Sequence, residues 1–127
     1  MNGTVREWLD KAEGDYRTAR REFKAADSAN YDAVCFHGQQ FIEKLMKAIM
    51  IHNKAVPPRI HNLAGLAELL KPLCPGLGLE IEDLNHLTTL GMAVRYPGEV
   101  ADRDDATEVL EICRRLRDGL EPFIPRD

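Results

Sequence analysis

The sequence predicts an all-α fold, an antiparallel up-and-down bundle of four long helices plus a shorter one, and three observations predict it. Five segments repeat apolar residues at steps of three and four. None alternates apolar and polar residues as a half-buried strand does. Short breaks rich in Pro, Gly or Asn separate the segments. Short connections between amphipathic helices make sequence neighbours antiparallel.

The first helix is expected over residues 4–26, with Val5, Trp8, Leu9, Ala12, Tyr16, Ala19 and Phe23 on one face. Thr4 and Glu7 have the spacing of a capping box. The second is expected over 31–52, with Tyr31, Val34, Cys35, Gly38, Ile42, Leu45, Met46 and Ile49 as its stripe. Gly38 lies mid-stripe, where Gly costs about 1 kcal/mol against Ala, and close approach of a neighbouring helix would compensate. Pro57-Pro58 breaks the chain. A third helix follows over 61–73, with Leu63, Leu66, Leu69 and Leu70 inward, and a fourth over 80–94, with Ile81, Leu84, Leu87, Thr88 and Gly91 inward. Tyr96 precedes a proline, so the fourth helix should have stopped there. The fifth spans 102–123, acids early and arginines late, in keeping with the helix dipole.

A chain of 127 residues forms one domain, 1–127, and can bury a core without metal or disulfide staples. The net charge of −4 argues against broad electrostatic binding of nucleic acid but allows a small basic cleft. The three cysteines are far apart with no Cys-x-x-Cys pair, there is no apolar leader at the N-terminus, and no apolar run reaches membrane length. A cytoplasmic protein is expected.

Turning the second helix at 100° per residue places Gln39, Gln40, Glu43, Lys44 and Lys47 away from the core stripe. They read as a solvated face with an i,i+4 Glu43–Lys47 pair. Phe36 and Ile51 share that outer side, which suggests a surface covered by a second subunit near Gln40. Asp15 sits at the edge of the first helix's stripe, either as a rim acid met by a nearby cation or as a carboxylate facing a groove. Arg95 and Tyr96 leave the fourth helix with the donors and ring suited to a phosphate and a base; alternatively they lock the loop to Asp15 or Glu43. His61 reads as a helix-start residue. Glu82 and His86 have a metal-compatible spacing but are only two ligands, so no metal or other cofactor is expected.

Several phrases in order resemble the HEPN family: Trp8-x3-Ala12-x2-Asp15-x3-Ala19, Tyr31 through Ala48 with Gln39-Gln40 and Glu43-Lys44, His61-Asn62-Leu63, and Ala93-Val94-Arg95-Tyr96-Pro97. The resemblance implies a helical bundle, a homodimer and a groove that includes Asp15 and Arg95. Many members are metal-independent RNases with an Arg-x(4–6)-His motif. Here Arg95 matches the Arg, but residues 100–102 are Val, Ala and Asp, so the catalytic His is missing. The resemblance therefore implies a binding module, in which nucleotide or RNA meets Arg95, Tyr96, Asp15, Glu43, Lys44 and Lys47. The dimer would form through Phe36, Gln40 and Ile51, and the partner would be a minimal nucleotidyltransferase, as in toxin–antitoxin pairs. The alternatives are an RNase toxin using Arg95, Asp15, Tyr96 and His61, and a purely structural interaction protein.

Overall fold

The computed structural model describes residues 1–126. Among them are five α-helices and a short 3-10 turn: α1 (Gly3–Phe23), α2 (Tyr31–His52), α3 (Leu63–Leu70), α4 (Ile81–Met92), α5 (Arg103–Leu120) and η1 (Glu121–Phe123). No strand occurs among the described residues. α1, α2 and α5 are the long members, at 21, 22 and 18 residues; α4 has 12 and α3 only 8. No helix among the described residues is long and apolar enough to cross a membrane.

The caps show where local chemistry sets the ends. Asn2, not Thr4, caps α1: its side chain accepts from the Val5 amide at 2.8 Å, so the Thr4–Glu7 box does not form. Asn30 and Asn62 do the same for α2 and α3. Because Asn62 is the cap, His61 lies outside α3, and the helix is shorter than the expected 61–73. Asp102 and Asp105 form a reciprocal capping box on α5.

α2 is the centre of the bundle. It packs against α1, α3, α4 and α5, and from Gly38 onward only Gln40 and Lys44 of its next thirteen residues escape burial. Phe41, Ala48 and Met50 are buried as well as the expected stripe. A helix that is apolar on nearly all sides is a core helix. Gly38 behaves as expected: a Cβ there would lie 2.5 Å from Val109 Cγ1 and 3.2 Å from Cys113 Sγ, so α5 rests against bare α2 backbone. Gly91 does the same for α4, where a Cβ would lie 2.3 Å from Gln39 Cβ and 3.0 Å from the Cys35 carbonyl oxygen. Two residues expected inside, Leu69 and Ile81, are exposed instead, because each short helix has only one packed side and they lie off it.

Candidate functional site: the polar seam of α2

The largest departure from the sequence expectation is on α2. Gln39, Glu43 and Lys47 are buried, with Glu43 4% and Lys47 6% exposed, so they do not form a solvated face. The helical wheel places them away from the α1 and α5 contacts, but α3, α4 and the segment before α3 cover that side. Glu43 is the hub. Its Oε1 accepts from His61 Nδ1 at 2.8 Å, Gln39 Nε2 at 3.1 Å and Gln40 Nε2 at 3.3 Å; its Oε2 accepts from Lys47 Nζ at 3.0 Å. Gln39 also donates to the His61 carbonyl at 2.8 Å, and Gln40 donates to Gln39 Oε1 at 2.8 Å. Burial opposes ionisation of Glu43, yet the hydrogen bonds from His61, Lys47 and Gln39 outweigh it and hold the carboxyl below its ordinary range. Among the described residues, no buried side-chain nitrogen or oxygen lacks a partner.

Asp15 has a separate set of partners. It receives Lys44 Nζ at 2.6 Å on one oxygen and faces His37 Nδ1 at 2.7 Å on the other. The rim-acid reading is the one the structure supports. His37 has no evident partner in the sequence; its only clue is its position seven residues before Lys44 on the same side of the helix. The side chain of His61 is 63% exposed and that of His37 is 30% exposed. In both, a carboxylate engages Nδ1 and leaves Nε2 without a protein partner among the described residues.

Arg95 does not turn toward Asp15 or Glu43. α4 ends at Met92, before the expected 94, and Arg95 folds back so that Nη2 donates to the Leu90 carbonyl at 3.0 Å. Its Nε lies 3.3 Å from Asp32 Oδ1, which also accepts from the Ala101 amide at 2.7 Å. Arg95 therefore satisfies an open carbonyl of its own helix and ties that helix to the start of α2, with a side chain only 15% exposed. Tyr96 is exposed at the first position of a turn in which Pro97 is followed by Gly98 at φ 94° and Glu99 N donates to Tyr96 O at 2.8 Å. Cys35 is buried nearby. Burial pushes its thiol up to about 11, and the Arg95 guanidinium pulls only weakly the other way. Such a thiol is no nucleophile at neutral pH. His86 meets Glu108 at 3.0 Å rather than Glu82, and no group of three or more possible metal ligands occurs among the described residues.

Five of the six expected ligand contacts thus fall into three separate clusters, Glu43 with Lys47 and His61, Asp15 with Lys44 and His37, and Arg95 with Asp32, while Tyr96 stands exposed in its turn. Of the expected interface residues, Phe36 is 45% exposed beside His37, with ring centroids 5.2 Å apart. Ile51 is half-buried on the same side. Gln40 is half-buried and committed to the Glu43 network.

The family model of the HEPN domain matches residues 5–121, nearly the whole chain. The chain belongs to the HEPN domain family. Its fold is similar to that in the crystal structure of TT1696 from Thermus thermophilus, with a TM-score of 0.74, 22% identity, and coverage of 95% of this chain and 98% of that one. At that identity the likeness speaks for the fold alone. In the comparison with curated proteins nothing matches.

Proposed function

We propose that this HEPN-family chain is a homodimeric binding module, paired with a minimal nucleotidyltransferase in the manner of toxin–antitoxin systems, and that it contacts nucleotide or RNA at the margin of the dimer face. The observation that carries the reading is Phe36. It is a large aromatic ring standing 45% exposed near the start of the central helix, beside the half-buried His37. Burying such a side chain stabilises by about 1.5–3 kcal/mol. Ile51, half-buried, lies farther along the helix, and the half-buried Lys44 is already neutralised by Asp15. An apolar centre with an internally paired rim suits a protein interface. His61 and Tyr96 are the exposed groups at its edge left for a nucleotide or RNA, since Arg95 is committed to Asp32.

Light scattering should give about twice the chain mass for the native protein and the chain mass for Phe36→Asp, with circular dichroism unchanged. A native monomer at micromolar concentration would remove the reading. A second reading is a metal-independent RNase. It is favoured by the two histidines whose Nδ1 is held by Asp15 and Glu43, an arrangement that orients a general base. RNA cleavage by the purified chain that is lost in His37→Ala or His61→Ala would establish it in place of the first.

A further inference from the structure

The acidic net charge conceals a segregated surface on the side of the bundle where α1 and α5 lie next to each other. Arg17, Arg20 and Arg21 on the last two turns of α1 and Lys24 at its C-cap are all exposed. Facing them from α5 are Arg103 and Arg114, both exposed, and Arg117, half-buried. The two rows meet over aromatic rings: Arg20 and Arg117 stand 5.5 and 5.3 Å from the centroid of Tyr16, and Arg103 stands 4.6 Å from that of Phe23. Among the described residues none of these seven cations has a carboxylate within ion-pair distance. The nearby acids Glu13, Glu22 and Asp118 pair with none of them. Elsewhere Lys44, Lys47, Lys71, Arg95 and Arg115 each hold a carboxylate, and the cations without one among the described residues, Lys11, Lys54 and Arg59, are scattered in the sequence rather than gathered in a row.

We infer that this α1–α5 face binds the phosphate backbone of nucleic acid. Six of the seven cations are arginines, whose planar forks bind phosphate bidentately, and the rings beneath three of them hold those forks in place. The centre of the face exposes no large apolar side chain: Val100, exposed ahead of Arg103, stands at its end, and Phe36, Ile60, Leu69 and Val94 belong to other elements. A protein partner would be expected to meet an apolar centre and a membrane to receive an apolar wedge, so a polyanion with little apolar surface fits best. The inference does not rest on the dimer reading. Gly38, against α5, and Phe36 are separated by roughly 160° around α2, so the two faces point to different sides.

The test is fluorescence polarisation with a labelled 20-nucleotide oligo-uridine RNA and the full chain. Binding should weaken steeply with salt. Removing two phosphate contacts with Arg17→Gln/Arg21→Gln should lower the salt slope by about 1.4 and affinity about 25-fold at 0.1 M salt, and Arg114→Gln alone should lose about 5-fold. Lys71→Gln, which removes an exposed cation outside this face, should bind as the native chain does. Three results would each overturn the inference: absence of salt-dependent binding, arginine variants that bind no more weakly than Lys71→Gln, or displacement of the RNA by polyglutamate as effectively as by unlabelled RNA.

Discussion

Replacing Glu43 by Ala tests the buried seam most directly. The substitution strands Lys47, whose side chain is 7% exposed and whose only ion-pair partner among the described residues is Glu43, and takes acceptors from Gln39, Gln40 and His61. Breaking a buried pair by removing one partner costs about 3–5 kcal/mol, because a charge is left without compensation. Unfolding entropy of about 2.1 cal/mol/K per residue over 127 residues is roughly 0.27 kcal/mol/K, so the Tm should fall by about 11–19 °C. Glu43→Leu combined with Lys47→Met should recover most of that loss, since an apolar pair needs no compensation. Acid should act in the same direction. The folded-state pKa of Glu43 is depressed, so its contribution is present above the ordinary carboxylate range and is lost as pH falls through the folded value. Calorimetry between pH 7 and pH 3 should show a steeper decline for the native chain than for Glu43→Gln. A Glu43→Ala melting temperature within about 3 °C of native would refute the buried network and return these residues to solvent.

Three further sites give sharp expectations. Gly91→Ala should destabilise by about 1–3 kcal/mol in urea denaturation despite the better helix propensity of Ala, because its Cβ would press on Gln39 and the Cys35 carbonyl; Gly14→Ala, whose Cβ would meet only Arg17 Nη2 at an ordinary contact distance of 3.9 Å, should stabilise by about 0.5–1 kcal/mol. Arg95→Lys, which loses the fork joining Leu90 and Asp32, should cost about 1–3 kcal/mol in the same assay, and a melting curve identical to native would show that Arg95 clamps nothing.

The sequence carried the bundle and, to within a residue, the starts of all its helices but α3, because apolar spacing and Asn, Asp and Pro punctuation are local signals; four of the five ends fall two or three residues short of the expected ones. α2 starts and ends where its pattern says, and Gly38 marks the place where another helix touches. The seam was illegible for a specific reason. A helical wheel separates one side from another, but a central helix has neighbours on several sides, so lying away from the stripe does not mean lying in water. The apolar residues outside the stripe, Phe41, Ala48 and Met50, were the available sign. The partners of Asp15 and Arg95 come from other helices and depend on where α4 ends, which Arg95 itself decides by capping it. Four of the basic-face cations crowd the end of α1 and can be read there; the opposing row on α5 becomes apparent only once the two helices are side by side.

The central position of α2 also bears on how the molecule moves. Each of the other four helices packs on it, so any of them can detach locally while α2 keeps its remaining contacts. Backbone amides of α2 should therefore exchange with deuterium only through global unfolding, and those of α3, with eight residues, should exchange early. Phe36 thus belongs to the least mobile element of the bundle. A partner meeting it finds a surface already in its bound shape, and little of the association energy is spent on ordering.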